Sequence, residues 1–261
     1  MAAVLTNAAR ERLAAGELAL GVILRQARTV DIAPIMQSCG FDWLFLDLEH
    51  NSMDLDTAVQ IAVAALGAGI APIARVPAGQ LWLATRFLDG GGLGIVVPHV
   101  DTAEEARAIA QALHYPPQGH RSVAGGLPHF GYRKVALAET CAALNAATFV
   151  IVMLETPTAI ANAAAIAVVP GIDCLLIGSN DLAMELGIPG AFADPRIAAA
   201  YQAVCEACRA HGKFAGVGGI AEEALLRRYI GMGVRVVLPG SDLSFMIEAA
   251  SASATAMRSC L

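Results

Sequence analysis

Three features of the sequence predict a (β/α)8 barrel of the α/β class. The chain has 261 residues, close to the roughly 250 typical of that fold. Short apolar runs alternate with Ala-rich segments of helical period, the signature of βα units and a parallel sheet. There are eight such runs, and the first lacks the G-x-G-x-x-G that an open dinucleotide-binding sheet would carry; Gly21-Val22-Ile23 stands there instead. No Pro- or Ser-rich linker divides the chain, so a single barrel domain is expected over residues 1–261.

An extra helix is expected first, at residues 3–15, capping the barrel floor. Strands are expected at 18–24, 43–48, 71–76, 94–98, 149–154, 174–177, 214–217 and 234–238. Most are continuous Val/Ile/Leu runs, as strands buried on both faces should be. Helices are expected near 31–38, 54–67, 80–88, 102–113, 157–168, 195–211 and 221–230, with a closing helix from about 243 to 257. Asp54, Thr102 and Thr156-Pro157 carry helix-start chemistry, the last placing Pro at a first helical position. One segment breaks the rhythm. Residues 114–134 (HYPPQGHRSVAGGLPHFGYRK) form a long stretch rich in Gly, Pro and His, and loops of that length are usually functional or disordered.

Composition narrows the function. Apolar residues make up 56% and charged residues 15%, against about 25% charged in a typical domain. That excludes a disordered chain. A net charge of −6 with no dense Lys/Arg stripe argues against nucleic acid as a partner. The most apolar stretches, 55–74 and 136–154, are interrupted by Asp, Gln, Glu or Asn, so neither has the ~18 unbroken apolar residues of a membrane span. Residues 1–16 include Arg10, Glu11 and Arg12 and lack an apolar signal core. The expectation is a soluble cytoplasmic protein, with a large core and a buried subunit interface. Cys39, Cys141, Cys174, Cys205, Cys208 and Cys260 are scattered. Cys205 and Cys208 form a C-x-x-C inside an Ala-rich helical pattern, and we read them as buried thiols rather than a redox or zinc half-site.

In so uncharged a chain, polar residues at strand ends stand out, and barrel active sites form at C-terminal strand ends. The second strand ends Leu46-Asp47-Leu48-Glu49-His50, and alternation puts Asp47 and Glu49 on one face. Buried carboxylates are costly unless hydrogen-bonded, paired or bound to metal. The third strand ends Arg75-Val76-Pro77, the fifth Leu154-Glu155-Thr156, and the sixth Ile177-Gly178-Ser179-Asn180-Asp181. Any one of these residues is explained by capping a following helix. Four strands ending in His, Arg, Glu and Asp point to a site. Glu155 and Asp181 are hard oxygen ligands that leave a divalent cation open positions for water and a chelating 2-oxo acid. Mg2+ or Mn2+ suits them, ahead of Co2+ or Zn2+, because no Cys or His cluster accompanies the pair. His50 is the expected general base, its tautomer set by a carboxylate neighbour. Arg75 would meet the keto oxygen as it gains charge. The backbone N–H groups of Gly178, Ser179 and Asn180 would face a substrate carboxylate.

The segments Gly40-Phe41-Asp42-Trp43, Asp47-Leu48-Glu49-His50, Arg75-Val76-Pro77, Val97-Pro98-His99-Val100, Tyr115-Pro116-Pro117-Gln118-Gly119-His120-Arg121, Leu154-Glu155-Thr156 and Ile177-Gly178-Ser179-Asn180-Asp181-Leu182 span nearly the whole chain. In that order they resemble the HpcH/HpaI aldolase family, the metal-dependent class II pyruvate aldolases. The resemblance implies a TIM barrel assembled as a homohexamer, a trimer of dimers that exchange their final helices. It implies Glu155 and Asp181 as metal ligands, His50 as a base supported by Asp47, and Arg75 on the pyruvate keto oxygen. It also places Asp89 on a loop near the neighbouring site, and Arg121 in a loop that shapes the aldehyde end. Two positions depart from the pattern: Leu48, where many relatives have a small residue, and Ser122 after Arg121, where Gly is usual. The loop then runs on through His129 and Tyr132. These departures leave the metal–pyruvate half intact and the acceptor open.

The activity so implied is reversible aldol cleavage of 4-hydroxy-2-oxo acids to pyruvate, or hydroxypyruvate, and an aldehyde through a metal-bound enolate. No Lys ends a strand to form a Schiff base, since Lys134 lies in the long loop and Lys213 precedes strand seven. The alternative is a CoA-thioester carbon–carbon lyase of the citrate lyase β-subunit type, which needs a basic nucleotide groove that so few Lys and Arg hardly supply. A phosphate-binding isomerase would use the turn Leu238-Pro239-Gly240-Ser241-Asp242, where Asp242 would repel phosphate. A catalytically dead assembly subunit has no need of every polar position named above.

Overall fold

The computed structural model describes residues 5–260. Eight parallel strands close into a barrel in sequence order: β1 Ala19–Leu24, β2 Trp43–Asp47, β3 Ala71–Arg75, β4 Gly94–Val97, β5 Phe149–Leu154, β6 Cys174–Gly178, β7 Phe214–Gly218 and β8 Val234–Val237. The ring closes where Ala19 and Leu20 of β1 pair with Val236 and Val237 of β8. The expected (β/α)8 barrel is therefore the observed fold.

Period-two alternation divides the apolar side chains between two cores. Trp43, Phe45, Ile73, Val96, Ile151 and Met153 belong to one that fills the barrel. Leu44, Leu46, Ala74, Ile95 and Val152 belong to the other, between the strands and the helices. All five residues of β2 are buried as a result, which is why its sequence is apolar up to its last residue, Asp47. Gly21 on β1 leaves room for the Trp43 ring on its register partner; a Cβ there would run into the indole.

The helices run back outside the ring. They are α1 Ala8–Ala14, α2 Ile32–Ser38, α3 Leu55–Ala68, α4 Leu81–Asp89, α5 Ala103–Leu113, α6 Leu137–Ala147, α7 Pro157–Ala161, α8 Ala163–Ala167, α9 Ser179–Glu185, α10 Pro195–His211, α11 Glu223–Met232 and α12 Asp242–Arg258. Asp54, Thr102 and Thr156 cap their helices through side-chain oxygens, as their types predicted. The floor helix is also present. Asn7 caps α1 and donates Nδ2 to the carbonyls of Leu93 (3.0 Å) and Ala147 (2.8 Å), just before β4 and β5. Arg10 reaches Thr148 and Asp173, and Arg12 reaches Asp42. The first two residues of the expected floor helix, at 3–4, lie outside the described residues.

Three elements differ from expectation. Helix α6 was not anticipated: its N-cap, Ala136, makes no side-chain capping bond, so the boundary between helix and strand is invisible in an unbroken apolar stretch. The helix expected at 157–168 is split at Asn162, whose Nδ2 donates 2.8 Å to the Asp101 carbonyl. The long segment after α5 contains a short 3-10 turn, Pro128–Phe130. In α10 the C-x-x-C thiols are buried and free, as read from the sequence. Burial pushes the Cys208 thiol up to about 12. Among the described residues no helix is long and apolar enough to cross a membrane.

Candidate active site

The C-terminal strand ends surround a cavity of about 140 Å³, bordered by Arg25, Asp47, His50, Arg75, Asp181 and Gly219. Strand register sets the first pair. Asp47 of β2 lies opposite Arg75 of β3, and the two form a bidentate pair at 2.9 Å (Nε to Oδ1) and 2.7 Å (Nη2 to Oδ2). Burial alone would raise the Asp47 carboxyl. The Arg75 guanidinium and the amides of Glu49 and His50 outweigh it and hold the group below the usual carboxylate range.

Asp47 supports His50 through the backbone, Oδ1 accepting from the His50 amide at 3.2 Å and the Glu49 amide at 3.1 Å. The carboxylate nearest the His50 ring belongs to Glu49, with Oε2 3.7 Å from Nε2. That oxygen is buried and accepts no hydrogen bond, though Arg75 Nη1 lies 3.3 Å away. Two acids therefore fix Arg75, and its guanidinium stays at the cavity wall. His50 is half exposed at the mouth.

Glu155, directly after β5, is buried. Its Oε2 accepts the backbone N–H of His99 at 2.8 Å and lies 3.0 Å from His99 Nδ1. The backbone at His99 is left-handed, φ 54°, and this lets both nitrogens meet one oxygen. Oε1 faces Gly178, where a Cβ would lie 2.5 Å away, so the carboxylate occupies space that only glycine leaves. Burial raises the Glu155 carboxyl, and Asp181 adds to the rise against the His99 contacts. Asp181 sits in the first turn of α9, which starts on the end of β6. Two neighbouring carboxylates, one buried and short of compensating cations, suit a hard divalent ion with its other positions left to water and substrate. Among the described residues no group of three or more His, Cys, Asp or Glu is placed to hold a metal ion.

The glycine-to-asparagine turn is helical rather than a loop before a helix. Gly178 is the N-cap, and Ser179 and Asn180 open α9. The Ser179 hydroxyl turns into the core, 2.7 Å from the Tyr201 hydroxyl, so of this residue only the backbone amide is left for a substrate. Asp89 and Arg121 are joined to each other at 2.6 Å, but not to this cavity. Asp89 ends α4 five residues before β4 begins, and Arg121 follows α5. Because helices run antiparallel to strands, both lie at the floor, the opposite end of the barrel from Glu155 and Asp181.

Arg25 is a cavity residue that the sequence reading passed over. It follows β1 directly, and the rule used for the other strands would have marked it. His99 lies in a segment that carries the resemblance, but nothing in Val-Pro-His-Val signals the left-handed backbone that turns it onto Glu155.

The sequence profile of the family described as HpcH/HpaI aldolase/citrate lyase matches residues 22–249. A 4-hydroxy-4-methyl-2-oxoglutarate aldolase of Chaetomium globosum is 37% identical over 94% of this chain and 93% of its own length. A hydroxypyruvate/pyruvate aldolase of Cupriavidus necator is 35% identical over 97% of this chain and 93% of its own. The crystal structure of an HpcH/HpaI aldolase from Desulfitobacterium hafniense superposes with a TM-score of 0.88 at 26% identity, over 94% of this chain and 95% of that one.

Proposed function

Because the chain belongs to the HpcH/HpaI aldolase/citrate lyase family and is a carbon–carbon lyase of the aldolase type, we propose that it cleaves and forms 4-hydroxy-2-oxo acids, with pyruvate or hydroxypyruvate on one side and an aldehyde or related carbonyl compound on the other. The observation that carries this reading is the facing of Asp181, after β6, and the Arg75–Asp47 pair with His50, after β2 and β3, across one small cavity, with the buried Glu155 packed against the cavity residue Gly178.

In the cleavage direction, a ring nitrogen of His50 takes the proton from the C4 hydroxyl. The C3–C4 bond breaks, C4 becomes the carbonyl carbon, and the electron pair passes into C2–C3 as an enolate. Arg75, held by Asp47 and Glu49, faces the enolate oxygen as negative charge gathers on it. The amides of Gly178, Ser179 and Asn180 face the carboxylate of the 2-oxo acid. Proton return to C3 completes pyruvate. Glu155 and Asp181 would hold a divalent ion, Mg2+ or Mn2+ by the hardness of that pair, which would supply Lewis-acid polarisation of the keto group.

The CoA-lyase alternative is disfavoured by the cavity's cations. Arg75 is committed to acids, leaving Arg25 alone to meet a nucleotide there.

Assembly into a hexamer fits helix α12, which buries none of its residues and exposes Met246, Ile247 and Met257. In such an assembly the floor pair Asp89–Arg121 acts at the mouth of a neighbouring barrel. The six free cysteines fit a reducing, cytoplasmic compartment. Light scattering tests the assembly, and a particle of monomer mass refutes it.

The chemistry is tested by a retro-aldol screen of 4-hydroxy-2-oxo acids with Mg2+, Mn2+, Co2+ and Zn2+. Chelation with EDTA should abolish cleavage, and added metal should restore it. Activity that survives EDTA, together with a borohydride-trapped adduct, would overturn the mechanism.

A further inference from the structure

Arg25 lines the cavity, yet among the described residues its guanidinium has no hydrogen-bond or ion-pair partner. The loop that carries it is firmly built. Asp242, at the start of α12, accepts the backbone amides of Arg25 (2.8 Å), Gln26 (2.9 Å) and Ala27 (2.7 Å). Arg28 donates Nη1 to the carbonyls of Arg25 and Ala27. Asp242, the nearby acid, is thus spent on amides, and the side chain of Arg25 is left without a counter-ion. Arg25 also borders a second cavity of about 130 Å³ beside Gly219, Gly240 and Ser241, so it stands where the central cavity continues outward.

Ring order gives this cation a direction. In a closed ring of eight strands, β1 stands opposite β5. A substrate anchored by its 2-oxo acid end at Glu155 and Asp181 therefore projects its C4 side past His50, on β2's end, toward Arg25 on β1's. Charge gives it a purpose. Asp47, Glu49, Glu155 and Asp181 surround the site, and an anionic group at C4 would be repelled without a cation on the far wall. A guanidinium with an unused face matches a carboxylate in bidentate geometry.

We infer that Arg25 is the specificity residue for the acceptor half, binding a carboxylate carried on C4, so that the preferred substrates are 4-hydroxy-2-oxo dicarboxylates. The inference rests on the aldolase reading above. It assigns the acceptor class, which the metal–pyruvate residues leave open.

The test compares kcat/KM for 4-hydroxy-2-oxoglutarate, with a carboxylate on C4, and 4-hydroxy-2-oxopentanoate, with a methyl there, in wild type, Arg25→Gln and Arg25→Lys. The wild type should prefer the diacid. Arg25→Gln should lower the diacid-to-monoacid ratio about 10- to 100-fold, the range of a charge-assisted hydrogen bond, and Arg25→Lys should fall between. Exchange of the pyruvate methyl protons into deuterated water by wild type reads the enolate half with no acceptor present. If exchange proceeds but the wild type shows no diacid preference, or Arg25→Gln keeps the same ratio, this inference is wrong and the aldolase reading stands. If wild type catalyses neither exchange nor cleavage, the aldolase reading fails and takes this inference with it.

Discussion

Asp47 and Arg75 are register partners on adjacent strands, and both of the carboxylate's oxygens are bound by one guanidinium, at 2.9 and 2.7 Å. The pair is buried, with side-chain exposures of 1% and 10%. Removing one partner leaves an uncompensated buried charge, so Asp47→Asn should cost about 3 kcal/mol in denaturant unfolding at neutral pH.

The pH dependence of that cost has a definite sign. The folded Asp47 carboxyl lies below its unfolded value, which is about 3.9. Its stabilisation is complete above that value and is lost as pH falls through the folded one. The difference in unfolding free energy between wild type and Asp47→Asn should therefore be constant near neutrality and shrink below about pH 4. A difference unchanged down to about pH 2 would show that the pair does not hold Asp47 ionised.

Gly178 and Glu155 give a second prediction. The backbone at Gly178 has φ −81°, which alanine adopts freely, and the nearest obstacle to a side chain is the Glu155 carboxylate 2.5 Å from the added Cβ. Gly178→Ala should keep the fold by circular dichroism. It should weaken Mn2+ binding, measured calorimetrically, by about 10- to 100-fold, as displaced ligand supports do. Unchanged affinity would remove Glu155 from the metal set.

Ser179 separates side chain from backbone. Its hydroxyl partners Tyr201, whose ring stacks on Tyr229 at 3.9 Å between centroids. Burial raises the Tyr201 phenol, against the pull of the Ser179 contact. Ser179→Ala leaves that phenol unpaired in the core and should cost about 1–3 kcal/mol in stability. The amide at 179 persists, so KM for the 2-oxo acid should hold. A raised KM with unchanged stability would place the hydroxyl on the substrate instead.

Thiol accessibility checks the packing of α10. Cys205 and Cys208 are buried, and burial raises both thiols, which suppresses the reactive thiolate. Mass-spectrometric mapping after brief alkylation of the native protein should find Cys39 modified and this pair untouched until denaturant is added. Early labelling of Cys205 or Cys208 would reopen the redox or metal reading of the motif.

Much of this molecule is written locally. The strands are legible because parallel strands buried on both faces are apolar along nearly their whole length, as in Trp43-Leu44-Phe45-Leu46 ahead of Asp47. Helix starts at Asp54, Thr102 and Thr156 are legible because an oxygen at that point satisfies a free amide. His50, Arg75, Glu155 and Asp181 stand out because charge at the end of a buried strand needs a reason. Helix α6 escapes, since Ala136 offers no such cap. What depends on distant contacts was settled only when the ring closed. Closure put Asp89 and Arg121 at the floor and turned His99 onto Glu155. It also engaged Asp242 with the amides that follow β1, residues more than two hundred positions away in the chain. That long-range contact leaves the Arg25 guanidinium, at the mouth, unpaired among the described residues. Residue type specified which charges this site contains, and the geometry of the closed ring decided which of them remain free to meet a substrate.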